Sequence, residues 1–184
     1  ICYPTDVSLS IPAFSLVYII QLTEYYRYAK DKGTVKECFP CAKKIMDAFV
    51  SRIDETGLIP NFDEEKNFWN FYEWKPCLDG FTYRGKAYDM CLNGLLSWVI
   101  EFFAELGEAM GIDVWPYMLV KQELNRRIAE KFFDRKTGLF RNSDRPEAAG
   151  FSVLANAWGY LSGAADGLDQ RIMLDVIRKN GSED

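Results

Sequence analysis

Histidine is absent from the 184-residue sequence. That absence excludes histidine acid–base catalysis, Ser-His-Asp and Cys-His nucleophiles, and every histidine metal site. Any chemistry therefore falls to carboxylates, tyrosines, lysines or cysteines. Cysteine is scarce and odd in number: Cys2, Cys38, Cys41, Cys77 and Cys91. Such a set makes no disulfide framework and matches usage in a reducing compartment. Cys38 and Cys41 form a C-x-x-C, but the segment reads as helix interior and no second pair stands at ligand spacing. The cysteines are expected to be small apolar fillers, and neither a metal nor another cofactor is expected. Basic charge is not in excess: 22 Lys+Arg face 27 Asp+Glu, for a net charge of −5. A nucleic-acid partner or an anionic membrane surface would need a basic face, so neither is expected. No apolar run approaches the roughly twenty residues of a membrane span, and no signal segment is expected ahead of the first helix.

What is present is apolar and helical. The hydrophobic fraction is 48%, enough to build a core and to exclude disorder as the main state. Apolar residues recur at helical spacing, and no convincing alternating strand interrupts them. Six helices are predicted, over residues 12–31, 34–53, 87–110, 114–133, 151–161 and 168–179. Pro12 suits a first turn, Gly33 a C-terminal stop, and Thr34-x-x-Glu37 a capping box. Pro40 should bend the second helix or shift its start. Asp113 is a plausible N-cap for the fourth helix, and Gly111 ends the third.

The connections alternate between short and long. Asp54-Glu55-Thr56-Gly57-Leu58-Ile59 closes the second helix and Asp134-Arg135-Lys136-Thr137-Gly138-Leu139-Phe140 the fourth, so two Thr-Gly-Leu triplets stand 81 residues apart. A period near that length fits an αα-hairpin followed by a long loop. The fold class is therefore all-α: an array of about three helical hairpins, read as one domain over residues 1–184. The third helix (Leu95, Leu96, Trp98, Val99, Ile100, Phe102, Phe103) is apolar nearly all round, as an inner helix should be. The fourth carries Lys121, Glu123, Arg126, Arg127, Glu130 and Lys131, as an outer helix should. Each long loop leads into an inner helix, so all three arrive at one end of the array, where a site would be built.

The second long loop carries eight aromatics between Phe62 and Tyr83, densest at Trp69-Asn70-Phe71-Tyr72-Glu73-Trp74. Aromatic faces beside amide and carboxylate groups suit a sugar, with the rings on its C–H faces and Asn70 and Glu73 on its hydroxyls. The same aromatics could equally fold the loop onto the helix ends as a satellite core. Asp63, Glu64 and Glu65 read as solvated surface, and Asp144, Arg145 and Glu147 as turn chemistry. Asn156, inside the apolar fifth helix, needs a polar partner and reads as a packing hydrogen bond.

The order of features resembles bacterial α-L-rhamnosidases of the six-hairpin, (α/α)6-toroid type. The resemblance rests on Ser10-Ile11-Pro12-Ala13-Phe14-Ser15-Leu16, Gly57-Leu58-Ile59 and Trp69-Asn70-Phe71-Tyr72-Glu73-Trp74. It continues through Leu92-Asn93-Gly94-Leu95, Phe132-Phe133-Asp134 and Ser152-Val153-Leu154-Ala155-Asn156-Ala157, over nearly the whole chain. It implies inverting hydrolysis of terminal α-L-rhamnosides, with a carbohydrate as partner and no cofactor. The family's catalytic acid and base lie in segments before and after the matching part, so no catalytic residue is expected in this chain. The resemblance carries Trp69, Asn70, Tyr72, Glu73 and Trp74 over as sugar-contact positions, with Tyr18 and Asn156 beside them. The family often has a histidine two residues before the Asn of its Ala-Asn-Ala segment, where Leu154 stands here. The chain would then be the middle three hairpins of the toroid, inactive and self-associating when isolated. The alternative is a non-catalytic helical module that binds a carbohydrate or a protein through its aromatic loop.

Overall fold

The computed structural model describes residues 9–62, 67–80 and 85–180. The acidic run Asp63–Glu65, the aromatics Phe81 and Tyr83, and Cys2 lie outside them. Six α-helices follow in order: α1 (Pro12–Ala29), α2 (Lys32–Val50), α3 (Met90–Ala109), α4 (Trp115–Phe132), α5 (Val153–Leu161) and α6 (Arg171–Asn180). They pair as α1–α2, α3–α4 and α5–α6, and α3 packs against α1, α2, α4 and α5. The architecture is the expected all-α hairpin array, with α1, α3 and α5 on the inside.

The inner position of α3 follows from its composition. Leu95, Leu96, Val99, Ile100 and Phe103 are all at most 1% exposed. The helix is long and apolar enough to cross a membrane by length and composition, contrary to the expectation from the sequence, but it lies buried among the other helices. By contrast α4 buries only Leu124, Ile128 and Phe132, a single stripe at helical spacing.

Several boundaries differ from expectation for local reasons. Helix α1 ends at Ala29, with Lys30 in the left-handed conformation (φ 54°) as its C-cap, ahead of the stop expected at Gly33. Gly33 instead lies inside α2, whose N-cap is Asp31 rather than Thr34. The Asp31 carboxylate accepts the Thr34 backbone N–H at 3.1 Å and its hydroxyl at 2.6 Å, so the hydroxyl expected to cap the helix is spent as a donor. Pro40 lies within α2, on its exposed side, without ending it. The end of α3 matches expectation: Ile112 N–H reaches Gly107 O at 2.8 Å and Gly111 N–H reaches Glu108 O at 3.0 Å, with Gly111 at φ 73°. These are the two bonds of a Schellman closure. The N-cap of α4 is Val114 rather than Asp113, although the Asp113 carboxylate accepts the Trp115 N–H at 3.0 Å just ahead of the helix. The sequence reading missed a two-residue antiparallel pair, β1 (Phe133–Asp134) and β2 (Leu139–Phe140), around the second Thr-Gly-Leu turn.

The two turns are built alike. Asp54 Oδ1 accepts the Thr56 N–H at 3.0 Å, and Asp134 Oδ1 accepts the Lys136 N–H at 2.9 Å. Each turn passes through a glycine at positive φ, Gly57 (76°) and Gly138 (71°). Each then delivers its chain to a buried asparagine one turn into the next inner helix. Asn93 accepts the Ile59 N–H at 2.8 Å and donates to Ile59 O at 3.0 Å and Asp89 O at 2.9 Å. Asn156 accepts the Phe140 N–H at 2.8 Å and donates to Phe140 O at 3.2 Å and Ser152 O at 2.8 Å. Outer-helix exit and inner-helix entry are thus locked together by the same side-chain amide in both repeats.

Candidate functional site

The approaches to the inner helices meet at one end of the array, as the loop lengths implied. Ser10, before α1, bridges to Phe68; Asp89, before α3, to Ser143; and Phe151, before α5, to Arg141. The aromatic loop is therefore tied to the entrance of α1: Trp69 N–H donates to Ser10 O and Ser10 N–H to Asn67 O, both at 2.9 Å.

Within the loop, residues 72–78 fold into a compact turn. The N–H groups of Tyr72 and Glu73 both point to Leu78 O, at 2.8 and 3.2 Å. Trp69 donates its indole N–H to Asp79 O at 2.6 Å. Gly80 (φ 76°) makes this approach possible, because a Cβ there would meet the Trp69 ring at 2.8 Å and Asn70 O at 2.9 Å. Ring centroids lie 4.8 Å apart for Trp69–Phe71 and for Phe71–Trp74, and Phe14 of α1 extends the cluster at 6.3 Å from Phe71. Phe71 is only 8% exposed, whereas Trp74 is 70% and Phe14 39% exposed. The patch has a buried base and an open aromatic face.

Polar groups adjoin that face. Glu73 forms an ion pair with Lys75 at 3.3 Å and keeps 38% of its side chain exposed. Tyr72 donates its hydroxyl to Asp89 Oδ2 at 3.1 Å and meets Trp158 of α5 edge-on at 6.4 Å. Asp89 is a buried carboxylate, 3% exposed, at the start of α3, and its side chain does not cap the helix. Sequence reasoning missed it; the only signal was its place one residue ahead of the apolar run of α3. Burial pushes the thiol of Cys91 well up, and the negative charges of Asp89 and Glu73 add to the effect. Both carboxylates therefore act on one spot at the head of α3.

The sequence-named residues separate into two groups. Trp69, Tyr72, Glu73 and Trp74 come together in the aromatic loop. Asn70 belongs to the same loop, but its amide is taken up by the main chain of Phe62, accepting the N–H and donating to the carbonyl, each at 2.8 Å. Asn156 is fully buried and held by Phe140 and Ser152, the packing role read from its apolar helix. Tyr18 faces α2, where burial first and hydrogen bonds to Cys38 and Cys41 next push its phenol up to about 12. The filler role expected of cysteine holds for Cys91, which is buried; Cys38 and Cys77 are half-buried and Cys41 is exposed. Among the described residues no cluster of three or more cysteine or carboxylate groups could hold a metal ion.

Fold and loop geometry together define an all-α hairpin array with an aromatic wall at the N-terminal end of its inner helices. Two solved structures share that fold. A GH78 family rhamnosidase of Bacillus sp. GL1 superposes with a TM-score of 0.78 at 17% identity, over 98% of this chain and 18% of that one. A rhamnosidase from Klebsiella oxytoca, solved with rhamnose bound, superposes with a TM-score of 0.73 at 18% identity, over 97% of this chain and 32% of that one. The chain thus spans less than a third of the length of either protein. No sequence-family model matches it, and no curated protein matches it in sequence.

Proposed function

We propose that this chain is part of the catalytic domain of an α-L-rhamnosidase-like glycoside hydrolase, in which its three hairpins form one wall of a sugar pocket. The observation that carries the reading is the open aromatic face of Trp74 and Phe14 beside the Glu73 carboxylate, where the inner-helix entrances meet. Trp69 and Trp74 offer ring faces to the C–H side of a sugar, and Glu73 accepts from its hydroxyls. Tyr72, anchored on Asp89, holds the loop at the head of α3. The catalytic acid and base would come from parts of the toroid outside these hairpins.

The test is made in the full-length protein with an aryl α-L-rhamnoside as substrate. A hydrogen bond to a charged group is worth about 1.5–3 kcal/mol, so Glu73→Gln should lower kcat/KM by roughly 10- to 100-fold. Trp74→Ala should raise KM. Wild-type kinetics in both variants would remove the loop from the sugar site. No turnover of any glycoside by the wild-type protein, with retained sugar binding, would favour the non-catalytic module.

A further inference from the structure

A cleft of about 320 Å³ lies where the turn after α4 meets the start of α6, and it shares no residue with the aromatic loop. Phe133, Leu168 and Ile172 give it apolar walls, and Arg135 and Lys136 line it from the turn. Two close turns shape it. Gly138 approaches α6 so nearly that a Cβ there would stand 3.2 Å from Ile172 Cδ1. On the opposite wall Gly167 takes a φ of 77°, and Leu168 N–H donates to Ala165 O at 3.0 Å. The volume is at the small end of the range for small-molecule sites.

Charge at the cleft does not balance. Asp169, which lines it, is held by Arg171 through two bonds at 3.0 and 2.7 Å. Asp134, at the base of the turn, accepts from Arg141 at 2.8 Å and from the Lys136 main-chain N–H at 2.9 Å. Both acids are therefore spent. Neither the Arg135 guanidinium nor the Lys136 ammonium has an ion-pair or hydrogen-bond partner among the described residues. In a chain of net charge −5, two adjacent cations left over in a concavity attract an anion. Asp134 O also accepts the Gly138 N–H at 2.8 Å, so the main chain carrying both cations is fixed before a ligand arrives.

We propose that this cleft binds a small organic anion, with a carboxylate or phosphate group at Arg135 and Lys136 and an apolar body against Phe133, Leu168 and Ile172. Arg135 offers a fork of N–H donors to two oxygens of such a group, and Lys136 adds a point charge. An inorganic anion would leave the apolar walls uncovered, and a neutral apolar molecule would leave both cations unmatched. Only a molecule with both ends uses the whole site. The site stands independently of the sugar reading.

The full-length protein is titrated at low ionic strength with benzoate and with phenyl phosphate, and binding is read by calorimetry and ligand-observed NMR. At least one should bind with a Kd of about 1 mM or tighter, and the tighter of the two identifies the head group. Benzamide and inorganic phosphate, which each lack one end, should bind at least about tenfold more weakly. Arg135→Gln with Lys136→Gln should weaken the better probe at least about tenfold. Lys36→Gln with Lys44→Gln removes the same charge from the exposed side of α2 and should stay within about twofold of wild type. Ile172 is 49% exposed at the cleft, so Ile172→Glu should repel the anion without touching the turn. Undiminished binding in that variant would refute the location, even if the turn variant folds poorly. Absence of binding by both probes, equal binding of benzamide, or equal losses in the turn and α2 variants would overturn the proposal.

Discussion

Truncating Asn93 tests the joint that fixes the hairpins to one another. Asn93 and Ile59 are both fully buried, and Ile59 has its N–H and C=O committed to the Asn93 amide at 2.8 and 3.0 Å. Asn93→Ala orphans both groups, while Asp89 O keeps the Asn93 backbone N–H at 3.2 Å. Each orphan costs about 1–3 kcal/mol, for a total of about 2–6 kcal/mol against a usual domain stability of about 5–15. The damage should be local before it is global, because the loop behind Ile59 loses its anchor. Amide hydrogen exchange followed by mass spectrometry should show Ile59 and its neighbours exchanging at least about 30-fold faster. Asn156→Ala should do the same at Phe140. Arg141 N–H reaches Phe132 O across the pair, so Phe140 is at a non-hydrogen-bonded position opposite Phe133 and turns both its main-chain groups to Asn156. Asn93→Asp, which keeps an acceptor for the Ile59 N–H, should lose less protection at that amide than the alanine variant. Exchange within threefold of wild type at both sites would refute the clamp.

Gly159→Ala should destabilise by about 1–3 kcal/mol in a thermal melt, because its Cβ would stand 2.6 Å from the Phe140 ring. Burial alone would raise the Asp54 carboxyl, but hydrogen bonds from Lys86, Thr56 and Tyr88 outweigh it and hold the group below its usual range. Asp54 therefore adds stability above the ordinary carboxylate pKa of about 3.9 that is lost as pH falls towards its folded value, and Asp54→Asn should flatten the acid limb of a stability–pH curve. Phe14, Tyr25 and Tyr28 on α1 and Phe151, Tyr160 and Leu161 at α5 are exposed. The isolated 184-residue chain should accordingly self-associate, and a concentration-independent monomer by light scattering would count against its being part of a larger toroid.

Helix content was legible because it is written locally. The all-round apolar character of α3 and the single stripe of α4 each followed from the period of the sequence. The caps at Asp31 and Lys30 were not, because Thr34 is equally competent to cap and becomes a donor only once Asp31 is in place. The clamps were half-legible. The Thr-Gly-Leu repeat was visible, but the matching asparagines were not: they share the fourth position only with the observed starts of α3 and α5, and the separations differ. Asn93 follows its partner by 34 residues and Asn156 by 16. The aromatic loop lies inside the longer interval, and its insertion hides the shared spacing.

That insertion also explains why the candidate wall is only partly legible. A loop placed between two locked points needs no core of its own to stay near the head of α3, so its composition can serve other ends. Phe71 and the Asn70–Phe62 pair hold it down, while Trp74 and Glu73 stay open. Sequence composition counts all these residues alike and could not separate anchor from face. Asp89 escaped notice for the converse reason. It resembles an ordinary helix N-cap in the sequence, and only in three dimensions does its carboxylate turn from the helix to the Tyr72 hydroxyl, tying the open face to the innermost helix of the array.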